Sequence, residues 1–156
     1  MEKATFGAGC FWGVQNKFQK TNGVINTTAG YMGGNLENPT YKDVCTDKTG
    51  HVEVVQIDYD SSIISFEDLL DIFWHIHDPT QKNRQGPDIG TQYKSIIFYH
   101  NEKQKKISEE SKSKLERIKK YNKSIATEIS PVKTFYPAEE YHQHYFKKNG
   151  IAQSHF

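Results

Sequence analysis

The 156-residue sequence lacks several features that mark specialised classes of protein. Its two cysteines are too few for the disulfide framework of a small secreted domain, so a reducing, cytoplasmic environment is the expectation. No apolar run approaches the length that crosses a membrane, and the first residues lack the apolar stretch of a secretory signal. We therefore expect a cytoplasmic protein without a membrane span.

An excess of either charge is also missing. Lys and Arg total 20 against 19 Asp and Glu, which gives a formal net charge of +1. This balance provides no electrostatic basis for binding nucleic acid or an acidic membrane surface. The one basic run, residues 103–120, is interspersed with glutamates and is typical of a solvated helix face.

Aromatic residues, by contrast, are plentiful and make up 13% of the chain. Each buries a large area, which offsets the modest hydrophobic content of 35%. A chain of this length can bury a substantial core, and it has no internal repeat or long linker that would divide it. We expect a single domain over residues 1–156.

The hydrophobic pattern predicts an α+β fold. Strands and helices are predicted in the order β-α-β-β-α-β, at Lys3–Ala8, Cys10–Lys20, Val24–Tyr31, His51–Tyr59, Ser65–Ile76 and Ser95–Tyr99. This order is that of a ferredoxin-like core, a two-layer sandwich with helices on one face of a mixed sheet. Residues 78–92 read as a long polar loop. The C-terminal part adds a helix, a strand and a helix, at 101–121, 125–129 and 137–147.

Cys10 is the first candidate for chemistry, because it follows Gly7-Ala8-Gly9 at a predicted helix start. The free N–H groups and positive end of a helix favour a thiolate and lower the pKa of the cysteine, which makes a nucleophile. The position alone is equally compatible with a structural cysteine buried at a tight turn.

Glu53 favours the catalytic interpretation. In the predicted strand it shares a face with Val55 and Ile57, while Val52 and Val54 make the other face apolar as well. Burial raises the pKa of a carboxyl group, and a carboxyl group that keeps its proton is a general acid. A glutamate at the end of a strand that reaches water is the commoner alternative.

Aromatic residues near these two suggest a binding pocket. Tyr41 and Tyr93 lie in or beside the two long loops, where their hydroxyl groups could donate to a substrate oxygen. Phe11 and Trp12 follow Cys10 directly and could line an apolar pocket beside the thiol. Ordinary packing would explain each of these residues when it is taken alone.

The remaining cysteine and the histidines carry weaker signals. Cys45 could form a disulfide with an oxidised Cys10, but an ordinary buried thiol is the favoured interpretation. The pairs His75-x-His77 and His142-x-His144 have no cysteine or carboxylate partner at ligand spacing, so no metal is predicted.

Taken together, the motifs resemble the peptide methionine sulfoxide reductase A family, over Phe6 to about Lys148. Seven motifs of that family are matched in order: Gly9–Gly13, Gly30–Gly34, Pro39–Cys45 followed by Thr49–Val54, His77–Thr80, Asn83–Gly86, Asp88–Tyr93 and Phe135–Gln143. One such motif would be suggestive, whereas seven in order are highly specific.

The resemblance implies a role for each candidate. Cys10 would be the nucleophile and Glu53 the acid that donates a proton, while Tyr41 and Tyr93 would hold the sulfoxide oxygen. Phe11 and Trp12 would form the pocket for the terminal methyl group of the substrate. Asp88, which the residues alone did not single out, would help to orient the substrate.

The implied reaction is the thiol-dependent reduction of methionine S-sulfoxide, free or in proteins, through a sulfenic acid on Cys10, as in repair of oxidised proteins. No cofactor is expected, and an external thiol such as thioredoxin, glutaredoxin or a small thiol would reduce Cys10. The sequence departs from many members at its C-terminus, where Gly150–Phe156 carry no resolving cysteine. Gln15 also stands where glutamate is common.

Two other functions fit parts of the pattern. A single-cysteine peroxidase would use Cys10 but would have no use for a protonated Glu53 beside an apolar pocket. A peptide-binding module that has lost catalysis would leave the Cys10 thiol unreactive.

Overall fold

A computed structural model describes residues 1–118 and 121–149. The strands are β1 (Glu2–Ala8), β2 (Val24–Met32), β3 (Val52–Tyr59), β4 (Arg84–Gln85), β5 (Asp88–Ile89), β6 (Ser95–Tyr99), β7 (Glu128–Pro131) and β8 (Tyr136–Pro137). The helices are α1 (Phe11–Gln19), α2 (Tyr41–Val44), α3 (Phe66–His75), α4 (Glu102–Arg117) and α5 (Tyr145–Lys148).

The main sheet has the strand order β7-β6-β1-β3-β2-β8. Its central strands follow the order β6-β1-β3-β2 and pair with one another antiparallel, as in the predicted ferredoxin-like core. The pairing of β6 with β7 is parallel, so the sheet is mixed, as predicted. The register places Tyr31 of β2 directly opposite Glu53 of β3.

Both faces of the central strands are buried. On one face α1 and α3 pack against the sheet, where Phe6 stacks between Phe18 and Phe73. On the other face Val52 and Val54 form a smaller cluster that the C-terminal segment covers with Phe135. The prediction that β3 is apolar on both sides is therefore confirmed, and Glu53 lies in the helix-covered layer together with Val55 and Ile57.

Local sequence accounts for the ends of the helices. Thr40 and Ser65 cap α2 and α3, and each forms a capping box with an aspartate three residues later. The Asn101 side chain accepts the Gln104 N–H at the start of α4. The predicted end of α4 near Tyr121 includes residues 119 and 120, which lie outside the described residues.

Three segments differ in detail from the prediction. The strand expected at 125–129 lies at Glu128–Pro131. The polar loop 78–92 contains the hairpin of β4 and β5 and a 3₁₀ turn at Thr91–Tyr93. The single helix expected over 137–147 is replaced by β8, a 3₁₀ turn at Glu140–His142 and the short α5. Tertiary contacts explain this, because the Gln143 side chain exchanges hydrogen bonds of 2.9 and 2.8 Å with the backbone of Ala29. His144 then takes a φ of 52°, which interrupts a helix.

Candidate active site

Cys10 lies at the N-cap of α1, directly after the strand β1 and a tight turn. Gly9 makes this turn with a φ of 94°, and a Cβ atom there would come within 2.9 Å of the Gln85 side chain. The N–H groups of Trp12 and Gly13 donate to the sulfur of Cys10. The predicted placement of the thiol at a helix N-terminus is thus what the structure has.

The prediction that the helix start lowers the pKa of Cys10 is wrong for the resting site. Burial is the largest influence on Cys10 and raises its pKa from 9.0 to about 12, and the negative charge of Glu53 raises it further. The N–H groups of Trp12 and Gly13 lower the pKa but do not outweigh the loss of water. At neutral pH the resting Cys10 is therefore a thiol rather than a thiolate.

Glu53 is buried beside Cys10, with 1% of its surface exposed. Its Oε1 accepts the N–H of Phe11, the residue after Cys10, at 3.2 Å, and its Oε2 accepts the Nε2–H of Gln92 at 2.9 Å. Burial raises the pKa of Glu53 from 4.5 to about 7, although these two donors lower it. The expectation of a raised pKa is confirmed, and the alternative of a glutamate that reaches water is excluded.

Tyr41 and Tyr93 approach each other although 52 residues separate them in the sequence, and their side chains are hydrogen-bonded. Burial raises the pKa of both hydroxyl groups, and the charge of Glu53 raises each pKa further. Both tyrosines therefore keep their protons at neutral pH and remain hydrogen-bond donors.

Gln92 and Cys45 complete this part of the site. The side-chain amide of Gln92, which donates to Glu53, also lies 3.6 Å from the Cys45 sulfur. Cys45 is exposed rather than buried, so the favoured interpretation as an ordinary buried thiol is wrong in that respect. α2 ends immediately before Cys45, which places the thiol at the rim of the site.

Phe11 and Trp12 are neighbours in the sequence, but Phe11 is buried in the core whereas Trp12 lies against the C-terminal segment. Phe11 is 1% exposed and packs on Tyr31, Tyr41 and His142. The Trp12 indole stacks on Tyr145 with ring centroids 3.8 Å apart, and its Nε1–H donates to His142 Nδ1 at 2.9 Å. The orientation of Trp12 is therefore fixed by the C-terminal segment.

Glu139 ties this C-terminal segment to the opposite side of the site. Its Oε1 accepts the hydroxyl of Tyr31 and its Oε2 accepts the backbone N–H of Tyr41, both at 2.9 Å. Burial raises the pKa of Glu139, but its hydrogen-bond donors together outweigh burial and lower the pKa below its ordinary value, so the group is ionised at neutral pH. The carboxylate holds the first residue of α2 in place, and with it the Tyr41 ring.

A cleft of about 970 Å³ adjoins the thiol. Cys10, Trp12 and Asp88 line it, and it continues along the hairpin loop and Phe146 to the residues around Lys123. Glu53, Tyr41 and Tyr93 do not line this cleft. Cys10 therefore belongs to two groups of residues, the buried acid with the tyrosines and the wall of the open cleft.

The structure thus brings all seven predicted residues into one region of the fold. It adds Gln92, Glu139 and His142, which sequence reasoning missed. Each of the three lies inside one of the motifs that carry the family resemblance, and that membership is the signal that could have found them. Their partners, however, come from distant parts of the chain.

Within residues 1–118 and 121–149 no group of three or more His, Cys, Asp or Glu is placed to hold a metal ion. His77 instead bonds to the Phe73 carbonyl and to the Ser95 side chain, both at 2.7 Å. None of the helices in the same part of the chain combines the length and hydrophobicity needed to cross a bilayer.

Comparison with known proteins identifies the family. A family model described as "Peptide methionine sulfoxide reductase" matches residues 2–156. The chain belongs to this family. The "Peptide methionine sulfoxide reductase MsrA" of Methanothermobacter thermautotrophicus is 58% identical over 148 residues, which are 95% of this chain and 88% of that protein.

Solved structures of family members share the fold. Methionine sulfoxide reductase A of Corynebacterium diphtheriae superposes with a TM-score of 0.86 at 36% identity, covering 99% of this chain and 77% of that one. Reduced Mxr1 from Saccharomyces cerevisiae gives 0.85 at 38% identity, covering 98% and 88%. Mxr1 in complex with Trx2 gives 0.57 at 28% identity, covering 92% and 84%. The resemblance read from the motifs is confirmed, as are the α+β fold and the assignment as an oxidoreductase that reduces methionine sulfoxide.

Proposed function

We propose that this family member reduces the S epimer of methionine sulfoxide, free or within peptides and proteins, through a sulfenic acid on Cys10. The observation that carries the proposal is the pairing of Cys10, at the start of α1, with the buried Glu53 that accepts the N–H of the next residue. The reaction needs a nucleophile that attacks the sulfoxide sulfur and an acid that protonates the departing oxygen. Cys10 and Glu53 supply these two groups.

Above pH 7 Cys10 and Glu53 together hold one proton, which is the number that the reaction requires. Cys10 binds its proton more tightly than Glu53 does, with pKa values of about 12 and about 7. Above pH 7 the resting pair is therefore a thiol and a carboxylate, and transfer of one proton converts it to a thiolate and an acid. Glu53 first accepts the proton from Cys10 and then donates it to the substrate.

The step conserves atoms and electrons. The Cys10 thiolate attacks the sulfoxide sulfur and forms an S–S bond, while Glu53 protonates the oxygen. The S–O bond of the sulfoxide then breaks, the hydroxyl group passes to the Cys10 sulfur, and the S–S bond breaks in the same exchange. Methionine is released, and Cys10 has become a sulfenic acid. Tyr41 and Tyr93, as neutral donors, bind the sulfoxide oxygen throughout.

Other residues bind the terminal methyl group and the backbone of the substrate. Trp12, fixed by His142 and Tyr145, forms the apolar wall for the terminal methyl group, and Phe11 supports that wall by packing on His142. Asp88 lines the same cleft as Cys10 and orients the substrate by binding a polar group of the substrate's backbone. The preference for the S epimer is the one that the family resemblance implies.

An external thiol restores the enzyme. A first thiol condenses with the sulfenic acid, releasing water and leaving a mixed disulfide, and a second thiol then frees Cys10. The complex of the relative Mxr1 with Trx2 supports a thioredoxin-like protein in this role, and a glutaredoxin or a small thiol has the same chemistry. We assign no cofactor or metal to the reaction.

We further propose that residues 1–156 form one catalytic domain that acts in the cytoplasm. Both cysteines are free, and the cycle consumes thiols, which a reducing compartment supplies. Free methionine sulfoxide, oxidised proteins and the thiol reductant are the proposed partners, without nucleic acid or membrane.

A single-turnover assay tests the reaction. Reduced enzyme is mixed with each sulfoxide epimer without external thiol, and the methionine formed and the thiols remaining are counted. We expect one methionine per enzyme from the S epimer and the loss of one thiol, with no methionine from Cys10→Ser. Equal yields from both epimers would refute the epimer assignment. Consumption of hydrogen peroxide without reduction of sulfoxide would favour a peroxidase.

A further inference from the structure

Gln92 contacts the reactive carboxyl group from a buried position. It lies in the 3₁₀ turn Thr91–Tyr93, and 4% of its surface is exposed. Its Nε2 donates to Glu53 Oε2 at 2.9 Å and lies 3.6 Å from the sulfur of Cys45. The two hydrogens of the amide nitrogen can serve these two acceptors, which fixes the orientation of the amide.

The carboxyl group of Glu53 is thereby held at both oxygens. Oε1 accepts the N–H of Phe11 and Oε2 accepts the side chain of Gln92. One contact alone would leave the carboxyl plane free to rotate, whereas two donors on different oxygens define it. The lone pairs that remain are the ones that can receive a proton from Cys10.

The turn that carries Gln92 is itself anchored. The Oδ1 atom of Asp47 accepts the backbone N–H of Thr91 at 2.9 Å and also the hydroxyl group of Thr91. Gln92 is therefore presented from a backbone that is fixed to the loop after α2. This arrangement is the support that a precisely oriented acid needs.

We propose that Gln92 is a positioning residue for sulfoxide reduction, which fixes the orientation of the Glu53 carboxyl group so that it can take the proton of Cys10. This inference rests on the roles proposed above for Cys10 and Glu53. It assigns to Gln92 a function that acts through Glu53 rather than through the substrate.

Asp88 acts in the opposite direction, because its negative charge raises the pKa of Glu53. The other titratable groups that face Glu53 bring no positive charge that would stabilise the carboxylate; they are Cys10, Tyr31, Tyr41 and Tyr93. Burial also disfavours the carboxylate. The N–H groups of Gln92 and Phe11 are the influences that lower the pKa of Glu53, and that of Gln92 is the larger.

The experiment replaces Gln92 with Met, which keeps the volume and removes the donor. The pKa of Glu53 is measured from the ¹³C resonance of its labelled carboxyl carbon, assigned by its absence in Glu53→Gln. We expect this pKa to rise by about one to two units, since a hydrogen bond to a charged group has that magnitude. The acid limb of kcat/KM should move to higher pH by the same amount.

Gln104→Met is the matched control. Gln104 is also a buried glutamine, 3% exposed, and donates to the carbonyl of Lys3 at 2.8 Å, away from the site. Its replacement should lower stability without moving the titration of Glu53. Gln92→Asn, whose amide is too short to reach Glu53, is the second variant if Gln92→Met does not fold, and it should shift the titration in the same direction.

The outcomes separate the inference from the function on which it rests. An unchanged Glu53 titration in both Gln92 variants, whatever happens to the rate, would show that Gln92 is only structural and would overturn the proposal. A shifted titration together with full single-turnover activity in Glu53→Gln would remove Glu53 from the reaction, and the positioning role with it, while the contact itself would stand. A shift in titration and acid limb together supports the proposal.

Discussion

Replacing Glu53 with Gln removes the proton carrier while changing the shape of the site very little. The new side-chain oxygen can still accept the N–H of Phe11, now 3.2 Å from Oε1. The new NH₂ group would face the NH₂ group of Gln92 across 2.9 Å, so Gln92 must turn its amide and leave Cys45. The structural cost is about one hydrogen bond, or roughly 1 kcal/mol.

The loss of activity should be far larger than this cost. A general acid contributes roughly 10²–10⁴-fold to a rate, which corresponds to about 3–5 kcal/mol of transition-state stabilisation. Cys10 should stay reactive, because the charge of Glu53 raises its pKa and the substitution removes that charge. We therefore expect alkylation of Cys10 to titrate at lower pH in the variant, while sulfoxide reduction almost stops.

Relative to wild type, the stability of Glu53→Gln should increase as pH rises, although its activity is lost. The pKa of Glu53 rises from 4.5 to about 7 on folding. Between these two values the folded state binds more protons than the unfolded state, so stability falls as pH rises. One pKa unit is worth about 1.4 kcal/mol, so the wild-type protein loses on the order of 3 kcal/mol relative to Glu53→Gln between pH 4 and pH 8.5.

Two measurements examine these expectations. Urea unfolding of both proteins at pH 4 and pH 8.5 gives the difference in the free energy of unfolding at each pH, in which the contributions of other carboxyl groups cancel. Single-turnover reduction with excess substrate at neutral pH gives the chemical rate. A stability difference that is the same at both pH values would contradict the raised pKa. Full activity in Glu53→Gln with reductant in excess would refute the acid assignment.

Three further results are expected. Cys45→Ser should leave turnover with a small thiol nearly unchanged, since no step uses this thiol; a Cys10–Cys45 disulfide found by mass spectrometry after one turnover would reverse that assignment. Tyr41→Phe and Tyr93→Phe should each lower kcat/KM by roughly 10- to 1000-fold, because each removes one donor to the oxygen; alkylation of Cys10 at fixed pH serves as the control, and a rate equal to wild type would exclude that tyrosine. The wild-type kcat/KM should rise with pH through about 7, where the pair changes from two protons to one, and a rate that falls through pH 7 would contradict the shared proton.

Much of the fold could be predicted because local rules agree with it. The alternation of β3 and the start of a helix at Ser65 are readable from neighbouring residues, and the structure has them where expected. The C-terminal helix over 137–147 could not be read in this way. Its interruption depends on Gln143 binding the backbone of Ala29, 114 residues away, and on β8 pairing with the edge of β2.

The residues of the site likewise fall into those that the sequence could predict and those that it could not. The residue types and their motifs indicated Cys10, Glu53 and the two tyrosines, because each type has a recognisable chemistry. Their residue types did not single out Gln92 and Glu139, since a glutamine in a turn and a glutamate in a C-terminal loop have no distinctive chemistry, and only their membership of the family motifs marks them. Their roles arise from contacts with Glu53 and with Tyr41, which only folding creates.

The sequence by itself determined the order of the strands and helices of the ferredoxin-like core, the thiol at a helix start and the carboxyl group on an apolar strand, because these depend on periodicity and on neighbours along the chain. The tertiary structure decided the protonation of these groups. Withdrawal of Cys10 from water outweighs the helix N–H groups and keeps the sulfur protonated, while Gln92 and Phe11 limit the rise in the pKa of Glu53 to about 7. Burial and the donors around a buried group are set by residues far apart in the chain, and this is why no local pattern could reveal where the proton resides.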